Sequence, residues 1–231
     1  MNMSKKIRVT ILEDHQSIVD GYVFRLGSAP NIEIAATISF ADELEQTLQK
    51  HPADVLLLDV SVPTSPVNYN PYPILHTIPR LLQDYPELKI LVISMFAERG
   101  LIRAVMEAGA SGYIIKDDQS TIRNLGNVIN SVVEGGIYFS QRAGDLYKKY
   151  QAAQGGNLLS PRQLEALSLC VAYPDSKTNE LAYKMGVSNS TVRNLLSGAY
   201  ARLEVQSRAA ALAKARQLGL ITPEPPTIPR S

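Results

Sequence analysis

Apolar residues in the first 135 positions follow two alternating patterns. Short, nearly unbroken apolar runs occupy residues 6–12 (KIRVTIL), 32–37, 55–59 (VLLLD), 89–95 (KILVISM) and 112–115. Between them, apolar residues recur every three or four positions, as at Ile18, Val19, Tyr22, Val23 and Leu26. An unbroken run suits a strand covered on both faces, and the longer spacing suits a helix with one buried stripe. Helices are predicted after the first strand and over residues 42–50, 97–108 and 121–134. Five strands alternating with helices predict an α/β doubly wound five-stranded parallel sheet.

From residue 158 the pattern is helical throughout, with predicted helices over 161–172, 178–185, 189–203 and 207–219. Ser160-Pro161-Arg162-Gln163 is a helix start: Ser160 as N-cap, Pro161 at the first helical position and Gln163 closing a capping box. The expected division is an α/β domain over 5–135, a linker over 136–157, a small all-α domain over 158–221 and a disordered tail over 222–231. The polar stretch before Gly155-Gly156 and the Pro-rich TPEPPTIPRS support the linker and the tail. Residues 60–79 are uncharged but hold five prolines, so they read as a loop and not as a membrane span.

Composition narrows the function classes. The 231 residues include a single cysteine, Cys170, which cannot close an intrachain disulfide. The first residues lack the form of a signal peptide, so a cytoplasmic protein is expected. The net charge of +1 conceals a division. Residues 1–120 hold 15 acidic and 10 basic side chains, whereas residues 157–221 hold four and eight. Opposed halves imply different partners for the two domains.

The candidate chemistry lies at the strand ends. Ligands of an open parallel sheet sit beyond the carboxyl ends of its strands. Glu13 and Asp14 end the first strand, Asp59 the third, Ser94 lies near the end of the fourth, and Lys116 follows the fifth. Three converging carboxylates call for a hard divalent cation. Asp59 is then a nucleophile toward a phosphoryl group, whose oxygens Lys116 and the metal neutralise and to which Ser94 donates a hydrogen bond.

EDH at 13–15, LLLDV around 59, VISM around 94 and GYIIKD around 116 resemble a CheY-like receiver domain, the family of two-component response regulators. The resemblance implies the strand order 2-1-3-4-5 and phosphorylation of Asp59 by a cognate histidine kinase. It also implies Mg²⁺ held by Glu13, Asp14, Asp59 and the Ser61 carbonyl, and a switch formed by Ser94 and Tyr113. Drawing Ser94 toward the phosphoryl group leaves room into which the Tyr113 ring rotates. The segment SVPTSPVNYNPYPILHTIP is longer than the family pattern; it is expected to cover the acidic pocket or shape kinase choice, unless it is a neutral surface insertion.

The back domain resembles the LuxR-type helix-turn-helix of NarL-class regulators, through LSPRQLEALSL and NELAYKMGVSNSTVRNLLSGAYARLEVQSRAAALAKARQLGLI. The resemblance implies double-stranded DNA as partner. Arg193, Asn194 and Ser197 take groove-facing positions and Thr191 and Val192 position the helix. Residues 207–219 would pair two copies as a homodimer on phosphorylation; Ala211, Leu212, Ala215 and Leu218 serve either that face or the core. Leu195 and Ser197 depart from the pattern, where His and a basic residue are usual, and Gly198 costs about 1 kcal/mol inside a helix.

The expected function is a phosphorylation-dependent DNA-binding transcriptional regulator and not an enzyme. The alternative is a signalling adaptor whose back domain binds protein. A phosphatase of the haloacid-dehalogenase type is disfavoured because Ser61 stands where its second Asp, the general acid, belongs.

Overall fold

The computed structural model describes residues 6–152 and 158–223. The first domain is built on β1 (Ile7–Leu12), β2 (Ile32–Ile38), β3 (Val55–Leu58), β6 (Lys89–Ser94), β7 (Gly112–Ile115) and β8 (Tyr138–Phe139). These form one sheet in the order β2-β1-β3-β6-β7-β8, every neighbouring pair parallel. Its first five strands keep the expected 2-1-3-4-5 order. Side chains alternate between faces. Leu56, Leu58, Ile90, Val92, Tyr113 and Ile115 enter one apolar cluster, and Val55, Leu57, Leu91, Ile93 and Ile114 enter the other. Burial on both faces explains why these strands carry no polar alternation.

Helices α1 (Gln16–Gly27), α2 (Leu44–Lys50), α3 (Ile74–Asp84), α4 (Arg99–Glu107), α5 (Gln119–Arg123) and α6 (Leu125–Val133) cover the faces, with a 3-10 turn at Ala41–Glu43 preceding α2. The single helix expected over 121–134 is two helices broken at Asn124. It begins earlier because Asp118 caps α5, accepting from the Ser120 and Thr121 N–H groups.

Two stretches depart from expectation. Within 60–79, β4 (Pro63–Ser65) and β5 (Asn68–Pro71) form an antiparallel hairpin, and α3 then runs through Pro79. Prolines are tolerated there because the hairpin is a separate two-stranded ribbon. Thr64 Oγ1 donates to the Asn70 carbonyl at 2.9 Å, and Asn70 Nδ2 donates to Asn68 Oδ1 at 2.8 Å. The stretch expected as linker supplies β8 and α7 (Gln141–Ala152). Two residues are too few to show a strand period. The polar α7 is held through buried Ala143 and a Phe139–Tyr147 ring stack at 4.8 Å.

The second domain comprises α8 (Pro161–Ala172), α9 (Thr178–Met185), α10 (Asn189–Leu203) and α11 (Arg208–Gln217). Ser160 and Gln163 form the expected capping box on α8. Gly198 has a packing reason: a Cβ there would lie 2.8 Å from Gln163 Nε2. The expected tail begins at residue 222, yet Ile221 and Thr222 are buried; residues 224–231 lie outside the described residues.

The domains share a core. The apolar cluster containing Leu56 and Val92 continues into Leu164, Leu167, Leu181 and Val192. After α11, Gly219 meets α4 so closely that a Cβ on Gly100 would lie 2.6 Å from the Gly219 carbonyl oxygen. Gly219 itself has a φ of +62°, the left-handed region that favours glycine.

Ser140 tests the anchoring of β8. It is fully buried, donates its N–H to the Tyr113 carbonyl at 3.1 Å and accepts the Ile115 N–H on Oγ at 3.0 Å. Ser140→Ala leaves that buried N–H unpaired and should destabilise the α/β domain by about 1–3 kcal/mol, read as a lower urea midpoint.

Candidate functional site

Strands β1 and β3 are parallel neighbours with Leu12 opposite Leu58, so the residues just beyond them emerge at the same sheet edge. The Asp59 N–H donates to the Leu12 carbonyl at 3.0 Å, and the Glu13 N–H to that of Ile38 at 3.1 Å. Both carboxylates are buried. Lys116 reaches them from the end of β7, its N–H bonded to the Ser94 carbonyl at 2.8 Å. Lys116 Nζ donates to Glu13 Oε2 at 2.6 Å and to Asp59 Oδ2 at 3.0 Å. Asp14 is partly exposed, and Ser61 Oγ donates to Asp59 Oδ1 at 3.4 Å.

Two buried carboxylates thus share one ammonium. Burial raises the Asp59 pKa above the usual carboxylate range, and Lys116 only partly offsets it. Burial, then repulsion from Asp59, raises Glu13 likewise. For Lys116, burial acts downward but the two carboxylates outweigh it, so its pKa is raised and the ammonium is firmly charged. The pocket carries uncompensated negative charge.

His15 was not singled out from the sequence. Its Nδ1 lies 3.2 Å from Glu13 Oε1 and 3.0 Å from Asp14 Oδ1, and the three residues offer ligand atoms within 4.8 Å of one another. Only its place in the EDH run could have drawn attention to it. Hard oxygen donors with excess negative charge fit a divalent cation of the Mg²⁺ type.

Ser94 is fully buried and its Oγ accepts the Phe96 N–H at 3.1 Å. Tyr113 is also fully buried, donating its hydroxyl to the Phe96 carbonyl at 2.9 Å. The ring therefore already occupies an interior position, among the cluster that includes Leu101, Val105 and Ala143, and needs no further rotation inward. The Pro-rich segment starts beside the pocket at Ser61 and then turns away from it. Asn68 Nδ2 donates to the Ala172 carbonyl at 2.9 Å, so the hairpin rests on the second domain.

In that domain α9 ends at Gly186, whose φ of +63° lets the Val187 N–H reach the Ala182 carbonyl at 3.0 Å. Ser188 then caps α10, accepting the Thr191 N–H at 3.1 Å. Thr191, Arg193, Asn194 and Ser197 are exposed on α10. Val192 is fully buried, so it seats the helix and offers nothing to a ligand. On α11, Ala211 and Ala215 are buried within the chain, Leu212 is half-buried and packs against the same core, and Leu218 is exposed. Among the described residues no helix is long and apolar enough to cross a membrane.

Residues 9–126 match the response regulator receiver domain family, and residues 157–215 match the bacterial regulatory proteins of the luxR family. The transcriptional regulatory protein MctR of Rhizobium johnstonii is 25% identical over 222 residues, covering 96% of this chain and 99% of that one. The transcriptional regulatory protein DesR of Bacillus subtilis is 27% identical over 92% of this chain and 98% of its own. Among solved structures, RcsB of Salmonella enterica serovar Typhimurium, bound to promoter rprA with the phosphomimetic BeF3⁻, matches with a TM-score of 0.65 at 22% identity. That match covers 91% of this chain and 98% of RcsB, and it is a likeness of fold.

Asp59 offers a direct test of the pocket's charge. A carboxyl whose folded pKa is raised adds stability while protonated, below its unfolded pKa, and loses it as pH rises through the folded pKa. In chelator, the unmodified protein should therefore lose stability as pH climbs above the ordinary carboxylate range. Asp59→Asn should flatten that decline and unfold at higher urea at pH 7.

Proposed function

The chain belongs to the response regulators, a family of non-enzymatic transcriptional regulators, with a receiver domain joined to a LuxR-type helix-turn-helix, and from that premise we propose that it controls transcription by accepting phosphate on Asp59. The observation that carries this reading is the pair of buried carboxylates, Glu13 and Asp59, sharing Lys116. An isolated structural ion pair has no need of a second acid at such cost in burial. Glu13, Asp14, Asp59 and the Ser61 carbonyl would hold Mg²⁺, which when bound supplies positive charge to the phosphoryl oxygens.

An Asp59 oxygen attacks the phosphorus of a kinase phosphohistidine. The O–P bond forms as the N–P bond breaks, and the imidazole leaves and takes up a proton. Lys116 turns from its carboxylates toward the new dianionic group, and Ser94 donates its hydroxyl to a phosphoryl oxygen. Because Ser94 Oγ and the Tyr113 hydroxyl both hold the Phe96 backbone, re-aiming Ser94 shifts the segment that leads into α4.

The output is recognition of double-stranded DNA. The exposed residues in the first half of α10 form a polar face that includes Arg193, on a helix whose N-terminus is suited to phosphate. The DNA-bound RcsB structure supports the same reading. Two copies, paired through Leu212 and Leu218 of α11, would occupy half-sites about one helical turn apart.

Labelling by a small phosphodonor with Mg²⁺ tests the first step. The natural chain should be labelled and Asp59→Asn should not; persistent labelling of the variant removes Asp59 as acceptor. Duplex selection from random sequence tests the second. Arg193→Ala should weaken binding to the selected duplex by on the order of tenfold to a hundredfold in fluorescence anisotropy. Failure to select any duplex at moderate salt would favour the adaptor reading.

A further inference from the structure

The segment from Asp59 to His76 contains the pocket's buried acid and two polar bonds to the DNA-binding domain. Ser61 hydrogen-bonds Asp59, and Val62, fully buried, accepts the Tyr72 N–H on its carbonyl at 3.0 Å, closing the base of the hairpin. Inside the hairpin, Asn68 Oδ1 accepts from both the N–H and the Nδ2 of Asn70, and Ser65 Oγ accepts the Asn68 N–H. These bonds fix the Asn68 amide, which donates to the carbonyl of Ala172, the last residue of α8. Three residues beyond the hairpin is Ile74, the start of α3, and His76 on that helix bonds Glu165 of α8 through Nδ1 at 2.8 Å with both residues buried. Glu165 also accepts from Arg162 at 2.7 Å. Burial alone would push the Glu165 carboxyl up, yet the bonds from His76 and Arg162 hold its pKa below the ordinary range, so it stays ionised.

We propose that the β4–β5 hairpin is a transmission arm, coupling the Asp59 pocket straight to α8 and holding the DNA-binding domain docked until Asp59 is phosphorylated. This rests on Asp59 being the phosphoacceptor. A phosphoryl group on Asp59 competes for the Ser61 hydroxyl and displaces the backbone from which the hairpin springs. The arm is short and internally bonded, so a shift at Ser61 and Val62 reaches Asn68 and not merely the loop tip. The route does not pass through Tyr113, whose ring is already interior. What is held is α8, whereas Arg193, Asn194 and Ser197 on α10 remain exposed. Docking therefore limits where the recognition helix can be carried, without covering it.

The test uses the full chain, with hydrogen exchange of the α8 amides as readout and ¹⁹F NMR of bound beryllofluoride plus Mg²⁺ as an independent report on the Asp59 pocket. In the natural chain, beryllofluoride should speed α8 exchange. The double variant Asn68→Ala/His76→Asn should exchange on the order of a hundredfold faster without beryllofluoride, as expected for losing one neutral and one charge-assisted hydrogen bond. A second variant, with residues 64–70 replaced by Gly-Gly, loses the Asn68 bond but keeps His76–Glu165; its α8 exchange should lie between those of the natural chain and the double variant, be insensitive to beryllofluoride, and the bound ¹⁹F signal should persist. If the shortened chain keeps slow α8 exchange and responds to beryllofluoride as the natural chain does, the arm is not the coupling. Absence of the ¹⁹F signal from the natural chain would instead overturn the acceptor reading, while the exchange of the variants without ligand still decides whether the arm holds the domains together.

Discussion

Everything in the receiver domain is arranged around one ammonium shared by two buried acids. Lys116 can neutralise either Glu13 or Asp59 fully, but not both, and burial makes the deficit costly. The pocket is consequently left with negative charge that a cation can rebalance. Parallel pairing of β1 with β3, and of β6 with β7, is what brings residues from distant parts of the chain to that one edge. A single-residue slip in register would send these side chains to the wrong face.

That arrangement was legible in the sequence because it follows from a simple rule. Residues at the ends of apolar runs must cluster when the runs are parallel strands, and Glu13, Asp59, Ser94 and Lys116 all sit at such ends. The helices of the second domain were equally legible, since Ser160, Gln163, Gly186 and Ser188 mark their boundaries by local hydrogen bonding. The hairpin was not. Its prolines and asparagines speak of turns in general, and the bonds that order it, such as that from Asn68 to Ala172, span 104 residues. The same holds for β8 and α7, whose few apolar side chains find partners only once the sheet exists, and for His15, whose neighbours alone give it meaning.

The two domains are packed as a unit. A continuous apolar cluster joins them, and the polar bonds of Asn68 and His76 give that otherwise non-directional contact a single register. Because the α10 face is exposed, the proposed control would act by restraint on the domain's placement and not by covering the residues of that face.

Gly100 and Gly219 add a further property to this seam. Where they meet, the Gly219 main chain lies against Gly100, flanked by the Glu98 and Leu220 side chains. Such a fit resists sliding, because a small translation brings packed atoms into collision. The seam therefore fixes where α4 and the end of α11 lie against each other, and a methyl group added at either glycine would have to force them apart.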